Sequence, residues 1–273
     1  MSKPMLISFV IIGTIVFTLF LIKINLNYQF KKTVKTLLSE SKPIPGQRFQ
    51  PHQLSGLPEP VQRYFKHVLK IGQPYINHVG LTHDGQFKMG LDKDWMDIEG
   101  EQYFTTAKPG FIWKGATWMF TAFDSYVNDS GQLTDWVLSC IKVADGKGEH
   151  FNEGELQRWL AESVWFPTNL LPNEWLSWSA VDEQTAKLSF NYKSVSFSFT
   201  VSFNEIGEIA QMETQRFMTE TKREAWLCQF LDYQNKKGMM IPMLGEVSWL
   251  LEKEDFCYAK FKVKTIQYDW LDK

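Results

Sequence analysis

Hydrophobic and polar positions follow three different rhythms along this chain. Residues 5–22, MLISFVIIGTIVFTLFLI, contain no charge. As a helix they extend about 27 Å, close to the ~30 Å hydrocarbon layer of a bilayer, and Lys23 can reach the interface. They read as a membrane anchor rather than a cleaved leader, because Lys23-Ile24-Asn25-Leu26 stands where a small-residue cleavage site would be needed. Residues 24–56 are polar and hold Pro43, Pro45, Gly46 and Pro51, the composition of a tether leading into irregular chain.

Beyond the tether, Leu57–Lys70 confines its prolines to a first turn and then repeats Val61, Tyr64, Phe65, Val68 and Leu69 at helical spacing, which predicts a short helix. From Ile76 to Asp145 the segments 101–106, 111–116, 117–127 and 132–144 are rich in aromatic and β-branched residues and are broken at 128–131 and 145–148, as in an antiparallel meander. Between Asn152 and Pro172 comes the one convincing amphipathic helix. Asn152 and Glu155 form a capping-box pattern, and Pro167 stops the helix. Leu156, Trp159, Leu160 and Val164 make one face, with Glu155, Gln157, Arg158 and Glu162 making up most of the rest. Ala186–Phe203 alternates most cleanly and reads as one half-buried strand. Further strands are expected at 208–219, 224–234, 245–252 and 256–269. The sum is an α+β fold, with about ten strands in a large curved antiparallel sheet, half-barrel-like, covered by the central and early helices and preceded by one transmembrane helix. The divisions are 1–23 (anchor), 24–56 (tether) and 57–273 (a single domain).

Charge and composition narrow the function. With 29 basic and 31 acidic residues the net charge is −2, so no nucleic acid partner is expected. Cys140, Cys228 and Cys257 are odd in number, widely spaced and without CxxC, and read as buried thiols. Among His52, His67, His78, His83 and His150 only His78 and His83 are close, at a spacing that alternates across a strand. The histidines therefore read as surface residues, and neither metal nor cofactor is expected. GxSxG, HExxH, GxxxxGKS/T, GxGxxG and EF-hand signatures are absent, which lowers the expectation of an enzyme.

Glu162 is the notable ionisable residue, set between Trp159-Leu160-Ala161 and Trp165-Phe166. Desolvation there would raise its pKa and suit a general acid or base, with Asp124 or Glu246 as a partner from a neighbouring strand. Against this stand an ion pair with Arg158, four residues earlier, and a hydrogen-bonding clamp to a strand, the reading we favour. Trp113, Trp118, Trp136, Trp159 and Trp165 suit the lining of a cavity for a lipid or other apolar ligand, and equally suit a packed core.

The motifs KPGFIW (108–113), SYVNDSG (125–131), GELQRWLAESVWFPTNLLP (154–172), FNEIGEI (203–209) and DYQNKKGMMIPMLGEVSW (232–249) together resemble an uncharacterised bacterial family, a domain of unknown function, over residues 57–270. The strand content, the Lys-Pro-Gly-Phe-x-Trp turn and the mid-chain helix also resemble the lipoprotein-carrier fold, which implies a curved sheet holding acyl chains beneath helices. The expectation is a single-pass membrane protein, joined to the bilayer through residues 5–22, that binds an apolar or amphipathic ligand. An enzyme built on Glu162 and a structural module of a membrane complex are the alternatives. The lysines after the span favour a cytoplasmic domain, whereas the carrier resemblance implies an extracytoplasmic one, so the side stays open.

Overall fold

The computed structural model of the chain describes residues 3–41, 44, 46–137 and 141–270. Its strands are β1 (His78–Phe87), β2 (Met96–Thr105), β3 (Gly110–Ala116), β4 (Phe120–Val127), β5 (Ser130–Val137), β6 (Ile141–Lys147), β7 (Leu176–Ala180), β8 (Thr185–Tyr192), β9 (Val195–Phe203), β10 (Ile209–Phe217), β11 (Arg223–Lys236), β12 (Met239–Leu250) and β13 (Asp255–Tyr268). Neighbours pair antiparallel in two runs, β1–β6 and β7–β13. These join where β1 meets β13, giving one sheet in the order β6-β5-β4-β3-β2-β1-β13-β12-β11-β10-β9-β8-β7. The sheet is open, with β6 and β7 at its edges.

The α+β class stands, with thirteen strands where about ten were expected. One added strand comes from 186–203, which is a hairpin and not a single strand: Tyr192 pairs with Val195, and Lys193 takes a φ of 53°. Buried positions there change from even (Ala186, Leu188, Phe190) to odd (Phe199, Val201, Phe203). The turn shifts the parity while keeping one face inward.

Among the described residues three α-helices accompany the sheet: α1 (Lys3–Glu40), α2 (Glu59–Val68) and α3 (Glu149–Ala161). Helix α2 buries Val61, Tyr64, Phe65 and Val68 against the concave face, with Tyr64 5.9 Å from Phe203. Helix α3 continues through 3-10 turns at Glu162–Trp165 and Pro167–Leu170 and then reaches β7. The chain therefore leaves the sheet at one edge, crosses the concave side and re-enters at the other edge. The main core lies under this crossing, around Phe104, Phe111, Trp159, Phe166, Phe190 and Phe199.

Two sequence expectations about α3 need correction. The helix begins after Gly148 (φ 122°), one turn before Asn152, and the Asn152 side-chain oxygen instead accepts the Gly131 N–H at 2.7 Å. Nor is the helix amphipathic in effect. Glu155 and Gln157 are as buried as Leu156 and Trp159, because the crossing is enclosed on both sides.

Helix α1 also departs from expectation. It is long and apolar enough to cross a membrane by length and composition, but it does not give way to a tether: residues 24–40 remain helical. Leu26, Phe30 and Leu37 recur on one face. Phe30 and Leu37 pack with Ile112 on the convex side of the sheet, and Lys114 lies 4.6 Å from the Phe30 ring.

If this packing contributes as buried aromatics usually do, a chain starting at residue 23 will fold, and Phe30→Ala within it will cost about 3 kcal/mol. A chain starting at residue 41 will melt at a lower temperature. Equal melting temperatures for the two truncations would show that the convex contact contributes nothing.

Candidate functional site

Between α3 and the concave face lies a cavity of about 690 Å³. Its wall is mainly apolar, with Trp113, Trp165, Trp226, Phe230, Phe256 and Phe261 prominent. The indole N–H groups are satisfied behind the wall: Trp113 donates to His83 Nε2 at 2.8 Å, Trp165 to the Pro242 carbonyl at 3.1 Å and Trp226 to the Tyr258 hydroxyl at 2.9 Å. Small residues make room for these rings. A Cβ on Gly100 would lie 1.9 Å from His83 Nε2, and one on Gly115 2.1 Å from the Trp113 ring.

A charged cluster occupies the helix side of this apolar wall. Arg158 pairs through Nη1 with Asp124 on β4 and through Nε with Glu162 Oε1 at 3.0 Å, while its plane stacks 4.6 Å over Trp113. Glu162 Oε2 also accepts from Gln102 Nε2 on β2 at 2.5 Å. Burial costs Arg158 hydration, but the attraction of Glu162, Asp124 and Glu155 outweighs that and holds the guanidinium charged above its ordinary value. Burial likewise raises the Asp124 and Glu162 carboxyls despite Arg158. Asp135 rises to about 6 through burial and the nearby Asp124 charge. Glu155 rises to about 8, from burial first and Asp124 second, so it is mostly protonated at neutral pH. Among the described residues its Oε2 has no hydrogen-bond partner. Arg216 reaches the same space, 4.5 Å over Trp226, and makes no hydrogen bond or salt bridge among the described residues.

The sequence-selected residues divide. Glu162 lies in the wall, held by both Arg158 and the strand residue Gln102. Asp124 shares Arg158 with it, whereas Glu246 pairs with Lys260 at 3.1 Å. Trp113 and Trp165 line the cavity. Trp159 is core, donating to the Thr105 carbonyl at 3.0 Å. Trp136 lies outside the wall under Lys142, and Trp118, at the β3–β4 turn, is 78% exposed. Contrary to the surface reading, His78 and His83 are buried, and burial lowers His83 to about 4. Cys228 is buried and Cys257 half-buried, while Cys140 lies outside the described residues. Glu155 escaped notice as a site residue because it fitted a capping pattern. Arg216 was legible from period two, which sets it on one face with the buried Met212 and Thr214.

The chain belongs to a family of unknown function, DUF6544, whose model matches residues 47–261. No curated protein matches it. Among solved structures it is similar to a domain described as an outer membrane lipoprotein-sorting protein domain from Vibrio parahaemolyticus, at 8% identity and a TM-score of 0.39, covering 71% of this chain and 86% of that one. It is also similar to a LolA superfamily protein from Nitrosomonas europaea, at 9% identity and a TM-score of 0.36, covering 76% of this chain and 91% of that one. Likeness this remote supports no inference about what the cavity holds.

Two expectations follow from the cluster. Glu162→Gln loses charge-assisted bonds and will cost about 1.5–3 kcal/mol, whereas Arg158→Ala strands Asp124 and Glu162 and will cost about 3–5 kcal/mol; equal, small losses in thermal unfolding would reduce the cluster to a surface pair. The second concerns pH. Because the folded-state value of Glu155, about 8, lies above its ordinary 4.5, the native state keeps a proton that the unfolded chain has released. That contribution is complete below 4.5 and is lost as pH rises through 8. The shift of His83, from 6.5 to about 4, acts only below 6.5. The melting temperature will therefore fall between about pH 6.5 and 8.5, and Glu155→Gln will flatten that fall. An unchanged slope in the variant would locate the titration elsewhere.

Proposed function

We propose that this chain is a membrane-anchored binding protein for an amphipathic ligand carrying an acyl-like apolar part and a small acidic or carbonyl head. The observation that carries the reading is the cavity itself, whose volume of about 690 Å³ falls within the ~300–1,000 Å³ of small-molecule sites. Its polarity is also one-sided. The apolar wall around Phe230, Trp165 and Ile98 suits a hydrocarbon chain, while Arg216 offers a guanidinium with free donors and protonated Glu155 offers one O–H. Residues 5–22, whose described side chains are mostly exposed, would hold the protein at a bilayer.

A second reading has a specific observation behind it. Asp124, Glu155 and Glu162 converge in one cavity with raised pKa values, as acid–base sites often require. Glu162 is fully engaged by Arg158 and Gln102, so Glu155 is the better acid or base in that reading. An esterase or glycosidase activity abolished by Glu155→Gln would support it.

Binding is tested with the detergent-extracted full chain by native mass spectrometry and with a fluorescent long-chain fatty acid as probe. Gly245 lines the cavity, and a Cβ there meets nothing closer than the Gln229 carbonyl at 3.8 Å. Gly245→Phe will therefore fold and fill the cavity, weakening the probe by more than ~10-fold, or ~1.4 kcal/mol. Arg216→Gln will weaken the acidic probe by roughly ten- to a hundredfold through loss of a charge-assisted bond, with little effect on the uncharged alcohol of the same chain length. Copurified lipid absent from the wild type, with probe affinity equal in Gly245→Phe, would refute the binding reading.

A further inference from the structure

The cavity opens at the end of the sheet from which α1 departs. Antiparallel alternation puts the β1–β2, β3–β4, β10–β11 and β12–β13 connections at one end of the strands. The cavity wall includes Lys88 and Met89 from the first of these connections, Met218, Thr219 and Glu220 from the third, and Trp249 and Phe256 beside the last. Its other end is closed: Trp165 bonds to Pro242, and Tyr268 donates to the Trp165 carbonyl at 2.7 Å.

The convex face fixes the direction of α1 relative to this rim. Leu37 sits over Gly110 at the start of β3, Phe30 over Ile112, and Asn27 accepts from Lys114 Nζ near its end. The rise from Asn27 to Leu37, about 15 Å, matches the about 13 Å between Gly110 and Lys114, so helix and strand run side by side in opposite directions. Lys23 and Leu26 then lie against Glu99, Ala116 and Thr121, and the preceding residues of the helix leave the sheet at the rim end. Beside exposed charged residues such as Lys93 and Glu254, that end exposes a set of large apolar side chains. Trp118 is 78% exposed and the one exposed tryptophan among the described residues, Met89 is 62%, Leu91 41% and Ile141 58% exposed. The opposite end also exposes Ile71, Val181 and Ile206, but neither the helix nor the cavity mouth is there.

We infer that the rim is a bilayer-docking face: α1 carries the β1–β2 and β3–β4 turns into the interfacial layer, and the cavity mouth opens onto lipid. Tryptophan is favoured at the membrane–water interface, and methionine, leucine and isoleucine beside it add apolar area to bury. The occupant is the same bilayer that holds residues 5–22, because a continuous helix packed along β3 cannot present the rim to any other surface at that end. A ligand would then move between bilayer and cavity without crossing water. The inference rests on the anchored-protein reading and goes beyond it, since an anchored domain could equally stand clear of the lipid.

The test uses the full chain with Cys140 and Cys257 changed to serine, reconstituted into vesicles of phosphatidylcholine and phosphatidylglycerol. An environment-sensitive fluorophore is attached at Met89→Cys, Trp118→Cys or Ile141→Cys, with Ile206→Cys as the far-end control. Flotation of the vesicles reports the anchor separately. The expected result is a blue shift, together with quenching by headgroup-region nitroxide lipid, at 89, 118 and 141 but not at 206. Water-like emission at all four sites in protein that floats would overturn the docking face and leave the anchor intact. Protein that fails to float would overturn both. A blue shift that fades as protein is diluted into excess lipid would mean that a second copy of the chain covers the rim, and would also overturn the inference.

Discussion

Everything on the concave side follows from one topological constraint: the chain exits the sheet at edge strand β6 and must re-enter at β7, the opposite edge. An open sheet that curls brings its two edges toward each other across a hollow, and the connection has to run through that hollow. A helix there has no solvent side. Its polar residues need partners from the strands, or they carry the full cost of an unsatisfied buried group. Gln157 finds the Gln215 carbonyl at 3.0 Å on one arm, while Trp159 and Glu162 find Thr105 and Gln102 on the other, both on β2.

Arg158 is where this requirement is met most expensively. Removing a guanidinium and two carboxylates from water costs several kcal/mol per ion, which the pairing only partly returns. A leucine and a methionine would hold the helix down as well. The cluster makes more sense as part of the cavity than as a fastener, because Arg158, Asp124, Glu155 and Glu162 all belong to the cavity wall. Glu155 strengthens the case, for among the described residues its buried Oε2 has no hydrogen-bond partner.

How much of this was readable in the sequence depended on whether the signal was local. The apolar run at 5–22, the helix over 57–70 and most of the strands are properties of short windows and stand in the structure, whereas 132–144 and 186–203 each prove to span two strands. The Asn152–Glu155 pattern is local too, yet it misled, since Asn152 bonds to Gly131 across the turn and Glu155 faces the hollow. The helix starts one turn earlier, after Gly148, so neither residue stands at the end that capping rules describe. The tryptophans failed for a different reason. Period two separates inward from outward rings, but whether an inward ring meets α3, as Trp159's neighbours do, or lines the cavity, as Trp226 does, depends on where the crossing helix stops. No spacing along the strands encodes that.

The reading of residues 24–56 as a tether shows the cost of weighing composition over period. The segment is polar on average, and its prolines begin only at Pro43. Within it, however, Leu26, Phe30 and Leu37 lie at i, i+4 and i+11, with Val34 between the last two, a helical stripe that needs a surface. The convex faces of β2, β3 and β4 supply one through Tyr103, Ile112 and Phe123. The difference is mechanical. A flexible tether would let the domain sample many heights and orientations above a bilayer, with its effective concentration at the surface diluted by every extra residue. On the anchored reading proposed above, a helix continuous from the apolar segment into a packed face would remove that freedom, and orientation would follow from three apolar side chains in a stretch that looks hydrophilic.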